Sequence, residues 1–146
     1  MTDKVVVIGG SGFLGSYTAD ELSSRGFKVQ IFDAVESPWL RADQTMVVGD
    51  ILDRDALREA LKGANSVYHF AGISDINEAY ERPFDTVNLN VLGTVSVVET
   101  LCELKIPRFM YASTLYVYSS YGSFYRASKQ AAETLIEAYH EIHQFV

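Results

Sequence analysis

The chain has 146 residues, 48% apolar and 21% charged, with a formal net charge of −7. That is enough chain for one domain with a sizeable core, and it contains no disordered tract, repeat or Pro/Gly-rich linker that would mark a second unit. The acidic balance argues against a nucleic-acid or anionic-membrane partner, and no apolar run reaches the roughly eighteen residues of a membrane span.

In chain order, residues 5–8 (VVVI) form an apolar run closed by glycines, the pattern of a strand buried on both faces. A helix follows over 13–25, with Leu14, Tyr17, Thr18, Ala19 and Leu22 at helical spacing and Gly26 as its stop. Strands are predicted at 28–32 and 45–48, and Asp53 caps a helix that runs to about Lys62. A fourth strand spans 66–70. Residues 84–105 read as one long helix with Val87, Val91, Thr94, Val95, Val98, Leu101 and Cys102 along one face. Residues 108–112 give a fifth strand, and 124–142 the last helix. Strand and helix in alternation predict an α/β fold over 1–146, a doubly wound parallel sheet of the Rossmann type with helices on both faces. In such a sheet the loops at the carboxyl ends of the strands converge on the ligand crevice.

The motifs fall at those ends. Between the first strand and first helix stands GGSGFLG, with Gly9, Gly12, Phe13, Leu14 and Gly15 placed to bring backbone amides against a pyrophosphate at the positive end of the helix. A glycine motif alone is weak evidence. Here Asp33 ends the second strand eighteen residues past Gly15, where a carboxylate binds ribose hydroxyls and repels a 2′-phosphate, so NAD(H) is expected over NADP(H). In GDI, which ends the third strand, Asp50 is placed to accept from an adenine amino group and Ile51 to pack on its ring.

Near the end, Tyr125 and Lys129 stand four apart in YRASK, one turn apart on one face of the last helix. A phenol ordinarily titrates near pH 10, and a neighbouring cation favours the phenolate. With nine tyrosines in the chain, such a pair arises by chance roughly 0.3 times, so its setting decides its meaning.

Together the glycine spacing, Asp33, GDI, YHFAG at 68–72, NVLGT at 90–94, STLYVY at 113–118 and YRASK resemble the extended short-chain dehydrogenase/reductase family, the NAD-dependent sugar-nucleotide epimerases and dehydratases. The resemblance covers essentially the whole chain. It implies that Phe70, Ala71 and Gly72 line the cofactor and that Asn90 reaches towards its nicotinamide side. It further implies that Thr114 hydrogen-bonds the substrate oxygen, that Tyr125 is the acid/base, and that Lys129 is its partner and holds the nicotinamide ribose. Lys129 and the oxidised nicotinamide would then be the two cations that stabilise a phenolate. The implied substrate is a nucleotide-sugar, and the implied assembly is a homodimer through the helices at 84–105 and 124–142.

Departures from the family pattern narrow the expectation. Leu115 and Tyr116 follow Thr114, where dehydratases and decarboxylases carry an acidic residue, so a 4-epimerase or a dehydrogenase/reductase ranks above a dehydratase. Ser74 stands where UDP-galactose 4-epimerases have a lysine near the cofactor phosphates. The stretch from Thr114 to Tyr125 lacks the usual Pro-rich acidic segment, and the chain stops where full-length members continue into a substrate-binding region. The expectation is a truncated chain that binds NAD and lacks most of the substrate site; the competing class is a non-catalytic NAD-binding regulatory module.

The remaining reactive residues have plainer readings. Cys102 is expected to be a small buried residue on a helix, and with no leading secretory pattern a reducing, cytoplasmic setting is expected. His69 is expected to pack rather than catalyse. His140 and His143 are three apart with no further ligand nearby, so no metal site is expected.

Overall fold

A computed structural model describes residues 3–146. Five strands, β1 (Lys4–Ile8), β2 (Lys28–Asp33), β3 (Thr45–Val48), β4 (Ser66–His69) and β5 (Arg108–Tyr111), form one parallel sheet in the order β3-β2-β1-β4-β5. After β1 the chain moves outward through β2 and β3, then returns to the other side for β4 and β5. The direction reverses between β1 and β4, and the connections leaving their carboxyl ends diverge there to open a crevice.

The side chains of β1 alternate between two cores, as the two-residue period of a strand requires. Val6 and Ile8 join Phe32, Leu57, Val67, Val98, Leu101 and Phe109 on one face; Val5 and Val7 join Ala19, Leu22, Val29 and Ile31 on the other. Helix α1 (Phe13–Ser24) covers the second face. Helix α2 (Arg54–Leu61) contributes Leu57 and Leu61 to the first, and begins where the Asp53 carboxylate accepts from the Asp55 and Ala56 amides.

The predicted continuous helix over 84–105 is instead built in three parts. Preceding it is helix α3 (Ile76–Glu81), absent from the sequence reading. It is capped by Asp75 and too short to show a clear apolar period. Then α4 (Pro83–Thr86) leads through a π-helical turn (Val87–Leu92) into α5 (Gly93–Glu103). A π turn holds an extra residue and shifts the face that follows. The buried stripe runs through Thr86, Asn90, Thr94, Val97, Val98 and Leu101, while Val87, expected on that face, is 46% exposed. Polar Asn90, four residues before Thr94, lies in the interior.

After β5 a 3-10 turn (Leu115–Tyr118) leads to α6 (Ser123–His143), the last long helix. The chain then bends back. The Phe109 amide donates to the Val146 carbonyl (2.7 Å), the Val146 amide donates to the Pro107 carbonyl (2.8 Å), and Phe145 is buried edge-on against Phe109.

Candidate active site

At the carboxyl ends of the strands lies a cleft of about 680 Å³, a size suited to a small-molecule or cofactor site. One wall is the glycine turn from β1 into α1. A Cβ on Gly15 would stand 2.1 Å from the Gly9 carbonyl, and a Cβ on Gly9, at φ 80°, would stand 2.5 Å from the Ala71 amide. The turn is therefore packed backbone to backbone against its own helix and against the loop after β4. Helix α1 starts at Gly12 with no side-chain cap, so its first amides and the positive end of its dipole are free for an anion. Gly12, Phe13 and Leu14 line the cleft at that point.

Asp33 sits at the end of β2 with its carboxylate fixed by two amides, from Ser11 (2.9 Å) and Val35 (3.3 Å). Two lone pairs are used, and the others remain for ligand hydroxyls. Gly49, Asp50 and Ile51 line the same end, with Asp50 accepting from the Leu52 amide (2.9 Å). Asp33, Asp50 and Glu78 are the carboxylates on the cleft wall, and Lys129 is the cation facing them among the lining residues.

Phe70, Ala71 and Gly72, in the loop after β4, line the cleft as read from the sequence. Asn90 lies behind that loop, 3% exposed, with its amide fully engaged. It accepts from the Ile73 amide (2.7 Å) and donates to the Ile73 carbonyl (2.9 Å) and to Ser128 Oγ (3.0 Å). Ser128 in turn donates to the Tyr125 carbonyl (2.8 Å). Gly72, at φ 140°, leaves room for this arrangement, since a Cβ there would stand 2.4 Å from Asn90 Oδ1. Asn90 thus joins the cleft loop to the helix that carries Tyr125.

Tyr125 and Lys129 both line the cleft from α6. Lys129 donates to the Ala112 carbonyl (2.6 Å) and lies 4.1 Å from the centroid of the Tyr111 ring, a cation–π contact. Burial lowers its pKa to about 8, partly offset by Glu133, so it remains mostly protonated at neutral pH. The Tyr116 ring meets Tyr125 edge-on, 6.3 Å between centroids. Thr114 is placed at the rim. Its hydroxyl caps the 3-10 turn by accepting from the Tyr116 amide (3.3 Å), and it is the preceding residue, Ser113, that lines the cleft.

The histidines have structural surroundings. His69 is 1% exposed, and burial, followed by the nearby Lys129 charge, lowers its pKa to about 3. Thr94 gives its proton to the Asn90 carbonyl (2.7 Å), so His69 Nε2 donates to Thr94 Oγ1 (3.0 Å). His140 Nδ1 donates to the Phe145 carbonyl. Half-buried Cys102 has its thiol pKa pushed up by burial. Among the described residues, no group of three or more His, Cys, Asp or Glu is arranged to hold a metal, and no helix is long and apolar enough to cross a membrane.

The model of the NAD dependent epimerase/dehydratase family matches residues 5–146. The chain belongs to that family. Among its relatives it is similar to a UDP-glucose 4-epimerase of Klebsiella pneumoniae, 31% identical over an alignment of 127 positions that covers 79% of this chain and 91% of that protein. It is also similar to the human sterol-4-alpha-carboxylate 3-dehydrogenase, decarboxylating, 34% identical over 117 residues, covering 76% of this chain and 29% of the human one. The crystal structure of UDP-glucose 4-epimerase from Brucella ovis in complex with NAD superposes with a TM-score of 0.91 at 26% identity, covering 99% of this chain and 50% of that one. The chain therefore spans half of that solved family member and under a third of the human relative.

Three residues in or beside the cleft were given no role in the sequence reading. Ser113 and Glu133 are partners twenty residues apart, and Ser128 joins Asn90, 38 residues away, to the nearby Tyr125 carbonyl. Ser113 and Ser128 stand inside the quoted motifs STLYVY and YRASK, and Glu133 stands four residues after Lys129 on the same face of α6.

Proposed function

We propose that this chain binds NAD(H) in the cleft and carries the proton-transfer half of a nucleotide-sugar 4-epimerase reaction. The observation that carries this reading is the span of the cleft. Glycine turn and Asp33 stand at β1 and β2, Tyr125 and Lys129 beside the end of β5, and the sheet order separates β2 from β5 by three strand spacings, roughly 14 Å. An elongated ligand with phosphates, ribose hydroxyls and a reactive far end fits that distribution. The amides at the start of α1 would hold the pyrophosphate, Asp33 the adenosine ribose, and Asp50 and Ile51 the adenine.

When bound, NAD supplies a hydride acceptor; the chain's own groups handle the proton. Tyr125 takes the proton of the sugar hydroxyl and later returns it. Lys129, charged at neutral pH, stabilises the phenolate in between. Thr114 orients the reacting oxygen from the rim. The grip on the nucleotide-sugar is assigned to the part of the family structure that this chain does not cover, so the 146-residue chain is expected to bind cofactor without turnover. A cytoplasmic setting and pairing of two copies through the helices at 84–105 and 124–142 belong to the same proposal; sedimentation velocity tests the pairing.

A dehydrogenase/reductase of the same family is the second reading, supported by the identity with the human 3-dehydrogenase and by Leu115 and Tyr116 standing where a dehydratase has an acid. Titration of NADH fluorescence tests the first step, and absence of binding at millimolar cofactor overturns it. In a chain extended through the rest of the family fold, Tyr125→Phe should retain cofactor and lose at least a hundredfold in turnover of UDP-glucose. Unchanged turnover would sink the catalytic assignment, and a non-catalytic module would show no turnover to lose.

A further inference from the structure

Two successive residues at the end of β5 are clasped by two residues one turn apart on α6. Lys129 donates to the Ala112 carbonyl, and Glu133 accepts from the Ser113 hydroxyl. Ser113 is exposed and lines the cleft beside Tyr125 and Lys129; Glu133 stands behind it and does not. A serine hydroxyl has one proton and two lone pairs. A carboxylate is the stronger acceptor, so the proton stays with Glu133 and Ser113 offers the cleft lone pairs alone. Its neighbour Lys129 offers donors alone. The β5 end of the cleft thus has a built acceptor to complement the lysine.

We propose that Ser113 is a binding residue that accepts a hydrogen bond from an N–H or O–H group on the nicotinamide-ribose half of the dinucleotide, and that Glu133 is the positioning residue that makes it an acceptor. The assignment rests on the reading of the cleft as a dinucleotide site. It concerns the nicotinamide half because Ser113 stands at β5, three strands from Asp33.

The test is NADH affinity, by fluorescence titration of the 146-residue chain, with ADP as a probe of the adenosine half and thermal unfolding as a check of the fold. Ser113→Ala should weaken NADH about three- to tenfold and leave ADP unchanged. Glu133→Ala should reproduce part of that loss, and Glu133→Gln should restore it, because an amide oxygen still accepts from Ser113. The double variant should be no weaker than Ser113→Ala, since the two residues act as one unit. The reduced 3-acetylpyridine analogue, which lacks the carboxamide N–H, separates the two donors. If the carboxamide donates, Ser113→Ala leaves the analogue's affinity unchanged; if a ribose hydroxyl donates, both dinucleotides weaken alike. Either outcome places the donor on the nicotinamide half. Wild-type NADH affinity in Ser113→Ala, or an equal loss for ADP, overturns the proposal while the cleft reading stands. Failure of the unaltered chain to bind NADH overturns the cleft reading and this inference with it.

Discussion

Lys129 and His69 both pay for burial, and the sign of each effect fixes a pH window. For Lys129 the folded pKa is about 8 against 10.5 for the ordinary side chain. Between those values the unfolded chain holds more protons, so stability rises with pH there, by roughly 3 kcal/mol at most. Lys129→Met should flatten that rise in urea melts taken from pH 7.5 to 10.5. For His69 the folded pKa is about 3 against 6.5, so the unfolded state again binds the extra proton, and stability is lost as pH falls from 6.5 towards 3. His69→Gln should remove a few kcal/mol of that acid sensitivity, read as a shallower fall in urea midpoint across the same window. At this scale the motif spacings of Asp33, Tyr125 and Lys129 placed all three in the crevice, and all three line the cleft. The role of Ser113 was not legible, because it comes from Glu133, twenty residues away in sequence.

The glycine turn separates two kinds of constraint within one element. A Cβ on Gly15 would overlap the Gly9 carbonyl at 2.1 Å, whereas one on Gly12 would meet nothing closer than the same carbonyl at 3.5 Å. Gly15→Ala should therefore cost about 3 kcal/mol or more in urea unfolding. Gly12→Ala should keep near wild-type stability and weaken NADH about ten- to a hundredfold, because its methyl intrudes where the helix amides approach the phosphates. A Gly12→Ala chain that binds NADH normally would move the anion away from this turn. The strands were legible from their apolar runs. The 84–105 helix was legible in existence but not in register, since a regular 3.6-residue period places Val87 inside, whereas across the π turn at Val87–Leu92 Val87 is left exposed and the buried stripe runs through Thr86 and Asn90. No local pattern announces that turn; within it, Asn90 is tied to Ile73 and Ser128.

Across the whole molecule, strand-helix alternation was sufficient to read a parallel sheet, and the crevice followed from the switch between β1 and β4. Less visible was the closure of the sheet at its far edge. Phe145 is 7% exposed, and Val146 exchanges two backbone hydrogen bonds with the start of β5. Phe145→Ala should cost about 3–5 kcal/mol, measured by urea denaturation, through loss of its contact with Phe109. Phe145 and Val146 together behave as a latch on that edge of the sheet. Any residues joined after Val146 would continue from a point held beside β5, so an added segment would start at that edge of the sheet.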